Sequence, residues 1–171
     1  MKQQTVTEIF KNPPLDKKIT VCGWVRTRRD SGSLTFIELS DGSCLSSLQV
    51  VAESDLANFQ TEVKKLTTGC AIKVSGLLVS SPAKGQDVEL RALSIEVLGW
   101  ADPADYPLQK KRHSFKFLRS IAHLRPRTNA LGAVARIRSV LSFGIHEFFV
   151  RRNFYQGHTP VITTLDCEGA G

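Results

Sequence analysis

The chain has 171 residues, of which 42% are hydrophobic and 23% are charged, a composition typical of globular proteins rather than disordered ones. No apolar run approaches the roughly 18 residues of a membrane span, and the first residues lack the apolar core of a secretory signal. We therefore expect a cytosolic protein with no membrane segment. The four cysteines are widely spaced and include no Cys-x-x-Cys pair, which indicates neither a zinc site nor a disulfide framework.

The formal net charge of +7 is distributed unevenly along the chain. Residues 106–146 contain no aspartate or glutamate but carry nine basic side chains: Lys110, Lys111, Arg112, Lys116, Arg119, Arg125, Arg127, Arg136 and Arg138. Such a block fits a polyanion, for example a nucleic acid. The alternative is a solvated face whose charges pair with a partner or with another domain.

The first hundred residues predict a short helix and five strands. The helix, Thr7–Lys11, is stopped by Pro13 and Pro14, because proline cannot continue a helix. Alternating apolar residues predict strands at 19–28, 34–39, 45–51, 71–79 and 88–98. The apolar spacing of Asp55–Leu66 predicts a helix between strands three and four. This order is that of the OB-fold, a five-stranded barrel that binds oligonucleotides across strands two and three.

Helical patterns dominate the remainder of the chain. We expect a hinge at 99–107, a short basic helix at 114–121, a long helix at 129–152 and a short strand at 159–163. The predicted domains are therefore a barrel over 1–99, a hinge with a basic linker over 100–128 and a second domain over 129–171.

Between residues 23 and 49, the first three predicted strands carry the parts of a base-binding surface: Arg26, Arg28, Arg29, Phe36 and Gln49. By pattern alone, Phe36 is either a core residue or an exposed stacking platform, and the arginines favour the platform. Gln49 is either an unremarked exposed amide or a two-sided hydrogen bonder for an unpaired pyrimidine. Trp24 is predicted to lie in the core. RNA is the partner that these parts indicate.

No catalytic constellation is evident in the sequence. It contains no Walker-type phosphate loop, no nucleophile elbow and no metal-ligand spacing. The acidic, glycine-rich stretch 166–171 could close over a cationic group of a substrate.

These residues together resemble the asparagine–tRNA ligases, which are class II aminoacyl-tRNA synthetases. The segments that carry the resemblance are Gly23-Trp24-Val25-Arg26-x-x-Arg29, Phe36-Ile37, Asp41-Gly42-Ser43, Gln49-Val50-Val51, residues 123–129 and 132–138, Thr159-Pro160-x-Ile162-Thr163 and Glu168-Gly169-Ala170. The resemblance implies an OB-fold anticodon-binding domain followed by the first helix and strand (motif 1) of a truncated class II catalytic domain.

The resemblance also implies roles for individual residues. Phe36 would stack on the central anticodon uridine, Gln49 would hydrogen-bond that base, and Arg29 would hold the nucleotide or its phosphate. The other candidates for the anticodon surface are Arg26, Arg28 and Glu89, of which Glu89 is a candidate for the third anticodon base. The partner implied is the anticodon loop of tRNA(Asn).

For the catalytic part, the resemblance implies that Glu168 lies in a loop that closes over the amino acid. The long helix and the strand ending at Pro160 would form a homodimer interface. ATP and Mg²⁺ are implied for the full-length enzyme only, since motifs 2 and 3 are missing from this chain. We therefore expect the chain alone to be inactive, with no catalytic, cofactor or metal residues of its own.

Two readings of the shortened sequence stay open: a fragment of a longer ligase, or a stand-alone tRNA-binding module without catalysis. A third hypothesis is a general single-strand-binding OB-fold, which would bind DNA and RNA alike.

Overall fold

The computed structural model describes residues 3–83 and 85–162. The helices and strands in chain order are α1 (Val6–Lys11), β1 (Lys18–Ser31), β2 (Leu34–Ser40), β3 (Leu48–Glu53), β4 (Ala71–Ser80), β5 (Val88–Gly99), α2 (Phe115–Ser120) and α3 (Asn129–Val150). The chain divides into two compact units, Met1–Gly132 and Ala133–Gly171. No helix in the described ranges is long and apolar enough to cross a membrane.

The five strands close into a barrel in the order β1-β2-β3-β5-β4. All neighbouring strands are antiparallel except β3 and β5, which are parallel. The first half of β1 pairs with β4, its second half pairs with β2, and a bulge between Val25 and Thr27 lies where the partner changes. Because a bulge bends and twists its strand, β1 can belong to both sides of the barrel. The predicted OB-fold is confirmed.

The alternation of β2 separates the barrel core from the outer surface. Thr35, Ile37 and Leu39 are fully buried, whereas Phe36 between them is only partly buried. Successive strand residues point to opposite faces, so Phe36 lies on the outside of the barrel. Of the two alternatives that the pattern left for Phe36, the structure shows the position outside the core.

The predicted helix at Asp55–Leu66 is wrong. The segment forms a series of turns that ends in a 3₁₀ helix, Val63–Lys65. Its backbone hydrogen bonds mix spacings: Phe59 bonds back three residues, whereas Lys64 bonds back five. The predicted apolar positions Phe59, Val63 and Leu66 are nevertheless buried. The apolar spacing thus correctly located the buried side chains but not the backbone conformation.

The side chain of Asn58 explains why residues 55–66 do not form the predicted helix. The Asn58 amide donates to the Ile95 carbonyl of β5 at 2.8 Å and also to the Glu62 carboxylate. An asparagine that satisfies distant backbone groups competes with regular helical bonding. The segment is therefore shaped by its attachment to β5.

Strand β3 begins at Leu48, three residues later than predicted. The loop between β2 and β3 caps α1. Asp41 accepts a hydrogen bond from the Val6 amide at 2.8 Å, and the Ser43 hydroxyl accepts one from the Thr7 amide at 3.0 Å. The first amides of a helix have no partner within it, so this loop satisfies them and holds α1 on the barrel.

Helix α3 ends close to the predicted stop, because Asn153 adopts a positive φ of 63°, the conformation that commonly follows a helix end. The predicted strand at Thr159–Thr163 is wrong over residues 159–162, which form no strand. Val161 is 99% exposed and no described strand lies beside it. A strand requires a hydrogen-bonded neighbour. Thr163 lies outside the described residues.

Candidate nucleic-acid interface

Arg29 and Phe36 form the centre of a surface on the outer face of β1 and β2. They occupy directly paired positions of the two strands, so their side chains leave the sheet on the same side. The Arg29 guanidinium lies over the Phe36 ring, 5.2 Å from its centroid. A base stacking on this ring would place its phosphate near a fixed cation, which is the combination used for unpaired nucleotides.

Gln49 extends this surface on β3. Its register partners are Glu38 on β2 and Glu89 on β5, and Phe36 pairs with Val51 two positions further along β3. The Gln49 side-chain amide donates to Glu89 at 3.3 Å. Phe36, Arg29 and Gln49 therefore share one outer face, hereafter the reader face.

The Glu89 side chain leaves β5 on the same outer face as Gln49, but neighbouring groups cover it. The residue is only 5% exposed, and its Oε2 atom accepts hydrogen bonds from both Gln49 and the Ser81 hydroxyl, the latter at 3.1 Å. Arg91 approaches Oε1 at 4.0 Å. In this arrangement Glu89 binds neighbouring protein groups, and little of it is open to a ligand.

Sequence reasoning missed Arg91 as part of this surface. Its side chain is 57% exposed and follows Glu89 by two positions on β5, so it lies on the same outer face. The alternation Val88-Glu89-Leu90-Arg91 was the available signal, since two apolar residues there point into the core. An exposed guanidinium at this point adds positive charge to the edge of the reader face.

The structure places Arg28 away from the reader face. Its register partner is Ile37, a buried residue, so the Arg28 side chain lies on the inner side of β1. The guanidinium donates to the Lys64 carbonyl and forms an ion pair with Asp30 at 3.2 Å. These contacts fasten the turn segment before β4 to β1, a structural task.

Arg26 is also held by protein contacts, because its guanidinium donates to Asn129 at 2.9 Å.

The prediction that Trp24 belongs to the core is wrong. Trp24 is 37% exposed, and the guanidinium of Arg127 lies 4.2 Å from the centre of its ring. The strand pattern gave no indication of this, since Arg127 is a hundred residues further along the chain.

Two further predicted site residues lie in the second unit. Pro160 is exposed and outside any helix or strand. Glu168 lies outside the described residues, so the predicted amino-acid loop has no geometry here. Within residues 3–83 and 85–162, no group of three or more His, Cys, Asp or Glu side chains could hold a metal ion.

Outside the reader face, Lys73 on β4 has a perturbed titration. Its ammonium donates to Glu96 on β5 at 3.0 Å, and this hydrogen bond, with the attraction between the charges, raises the pKa of Lys73. Both side chains are largely solvated. This ion pair joins β4 to β5 and does not contact the residues of the reader face.

Comparison with known proteins shows which proteins share this fold. Residues 19–98 match the family described as the OB-fold nucleic acid binding domain. Asparaginyl-tRNA synthetase from Pyrococcus horikoshii, in complex with asparaginyl-adenylate, superposes on 99% of the chain with a TM-score of 0.85 at 21% identity, over 39% of that chain. An aspartyl-tRNA synthetase from Entamoeba histolytica matches 96% of the chain with a TM-score of 0.77 at 20% identity, over 40% of its own length. The fold is an OB-fold nucleic acid binding barrel, and these two synthetases share it.

Sequence similarity narrows this class. The chain is 57% identical to an asparagine–tRNA ligase of Desulfotalea psychrophila over 99% of its length and 50% identical to that of Synechocystis over its whole length. It spans only 38% and 37% of those two proteins. The chain belongs to the asparagine–tRNA ligase family and covers somewhat more than a third of the length of these relatives.

Proposed function

We propose that this chain is the tRNA-reading part of an asparagine–tRNA ligase and that its reader face binds the anticodon loop of tRNA(Asn). The observation that carries the proposal is the placement of Arg29, Phe36 and Gln49 on one outer face of an OB barrel. A ring, a cation and an amide at this spacing suit one unpaired base, with the ring beneath it, the cation at its phosphate and the amide at its edge.

In this proposal the described residues bind RNA and do not catalyse. The central anticodon uridine stacks on Phe36, Gln49 hydrogen-bonds its edge, and Arg29 neutralises its phosphate. Arg26 and Arg28 support the surface indirectly, because each is held by protein groups. Arg91 adds a solvated charge beside it.

The complete ligase, in the same proposal, activates asparagine with ATP and Mg²⁺ and esterifies it to tRNA(Asn) in the cytoplasm. Glu168 would then contribute to the loop that closes over the amino acid. Because the chain spans only 38% and 37% of the length of the two ligases that it matches, we expect no asparagine-dependent ATP–pyrophosphate exchange from the 171-residue chain.

We also propose that the ligase is a homodimer that uses the apolar stripe of α3, defined as Val134, Ile137, Leu141 and Ile145, together with the segment around Pro160. All four side chains of the stripe are more than half exposed. An exposed apolar surface of this kind is typical of an association site.

The reader face is tested by removing its ring. Phe36→Ala should weaken binding to an anticodon stem–loop with a central uridine by about 1–3 kcal/mol, the usual contribution of one base–aromatic stack. Phe10→Ala, which truncates a partly exposed phenylalanine on α1, should leave the dissociation constant unchanged. Fluorescence anisotropy at fixed salt measures both variants.

Two results would count against this proposal. Equal losses for the two variants would indicate that Phe36 has no special contact with the RNA. Equal affinity of the wild-type chain for the stem–loop and for a DNA oligonucleotide of the same sequence would favour a general single-strand binder.

A further inference from the structure

The Glu89 carboxylate accepts two side-chain hydrogen bonds through one of its oxygens. It stands opposite Gln49 in the parallel register of β3 and β5. Its Oε2 atom accepts from the Gln49 amide at 3.3 Å and from the Ser81 hydroxyl at 3.1 Å. With 5% of its surface exposed, the residue is a buried acceptor beside Gln49 on the outer side of the barrel.

The direction of each hydrogen bond in this network is fixed by chemistry. The Gln86 amide donates to the Ser81 oxygen at 2.8 Å, which leaves the Ser81 proton to point at Glu89. A carboxylate has only acceptor oxygens, so the atom of Gln49 that faces it must be the Nε2 amino group. The Gln49 amide is thereby held in one of its two possible orientations, with Oε1 turned away from Glu89.

The orientation of a side-chain amide decides which pyrimidine it can pair with. Uracil presents a donor, N3–H, between two carbonyl acceptors, whereas cytosine presents an acceptor at N3 beside an amino donor. An amide free to rotate by 180° can satisfy either edge, because its oxygen and amino group exchange places. An amide held in one orientation satisfies one edge and leaves a polar group of the other unpaired, which is the costly case.

We infer that Glu89 is a positioning residue that fixes the Gln49 amide and thereby makes the reader face select uracil over cytosine. This inference rests on the proposed uridine-reading function. Glu89 acts through Gln49 and does not itself touch the base. Ser81 and Gln86 belong to the same hydrogen-bond network, since they orient the second hydrogen bond to Oε2 of Glu89.

The inference is tested with two anticodon stem–loops that differ only in a central uridine or cytidine. The full chain should prefer the uridine RNA by about ten-fold or more, in line with the usual cost of one mismatched base. In Glu89→Gln the new amide can donate as well as accept, so the Gln49 amide can rotate. We expect the uridine-to-cytidine ratio of affinities to fall to within about three-fold.

Controls separate positioning from a general effect on folding or charge. Glu96→Gln neutralises another glutamate of β5, one that pairs with Lys73 and not with Gln49, and should leave the ratio unchanged. The double variant Glu89→Gln with Gln49→Ala should have the same ratio as Gln49→Ala alone, because Glu89 has no effect once the amide is gone.

The outcomes are distinguishable. A wild-type chain that binds both RNAs equally overturns the proposed function, and the inference with it. A wild-type chain that prefers uridine and a Glu89→Gln variant that keeps the full preference overturn the inference alone. Should Glu89→Gln fail to fold by circular dichroism, Ser81→Ala removes the second partner of Oε2, and it must lower the same ratio to a smaller extent.

Discussion

The barrel buries its apolar side chains, whereas the long helix α3 exposes its own. In the barrel, Ile37, Leu39 and Leu90 are completely buried. On α3, Leu141 and Ile145 are about 60% exposed. The barrel therefore has a hydrophobic core of its own, and this core stabilises the strands that carry the reader face. The apolar stripe of α3 adds little to folding and is available for association.

The largest expected difference between the two regions is in stability. Leu39→Ala should lower the free energy of unfolding by about 2–5 kcal/mol, the usual cost of truncating a fully buried leucine. Leu141→Ala makes the same chemical change on α3 and should stay within about 0.5 kcal/mol of the wild type. Urea unfolding followed by tryptophan fluorescence reports on the barrel unit, because both tryptophans, Trp24 and Trp100, belong to it. Similar losses for the two variants would contradict the comparison.

The next largest effect concerns association. Ile145→Lys places a charge in the apolar stripe, and a charge left unpaired in an interface is costly. If the stripe is an interface, the dissociation constant of the dimer should rise by at least about ten-fold, as measured by sedimentation velocity over a range of concentrations. Ser139→Lys adds the same charge to an exposed position on the opposite side of α3 and should not change it. Equal behaviour of the two variants would remove the stripe from the proposed interface.

The smallest effect tests how firmly the linker belongs to the barrel. Arg127 lies over the Trp24 ring and also donates to the Tyr106 hydroxyl at 3.3 Å. A double-mutant cycle with Arg127→Gln and Trp24→Leu should give a coupling energy of about 0.5–1 kcal/mol, typical of a partly exposed cation–π pair. Thermal unfolding followed by circular dichroism measures it. In the control cycle, Arg119→Gln replaces Arg127→Gln, because Arg119 is an exposed arginine of the linker. A coupling energy between Arg119 and Trp24 as large as that between Arg127 and Trp24 would refute a specific contact.

Much of the barrel was predictable from the sequence, because strands are recognised from the alternation of apolar and polar residues within a few positions. Alternation in β2 separated Phe36 from Ile37, the neighbouring arginines favoured Phe36 as the outer residue, and the structure buries Ile37 and leaves Phe36 partly exposed. The strand order gave the OB-fold. The reader-face roles of Arg29, Phe36 and Gln49 stay predictions, although the structure brings the three side chains to one face.

The errors share a physical cause, which is contact between residues distant in sequence. Asp55–Leu66 has helical spacing, yet a bond from Asn58 to β5 helps to give it another backbone conformation. Trp24 reads as a core residue, yet it is partly exposed beneath Arg127. Arg28 stays a predicted anticodon contact, although the bulge in β1 and the register with β2 turn its side chain inward.

The sequence by itself determined the family, the barrel class and the division of β2 into two faces, because each depends on residue identity and on the two-residue period of a strand. Only the tertiary structure decided that Glu89 lies buried beside Gln49 and that the Arg28 side chain lies on the inner side of β1. Those facts depend on the parallel pairing of β3 with β5 and on the bulge that lets β1 close the barrel. Strand pairing joins residues forty positions apart, and no local pattern records its register.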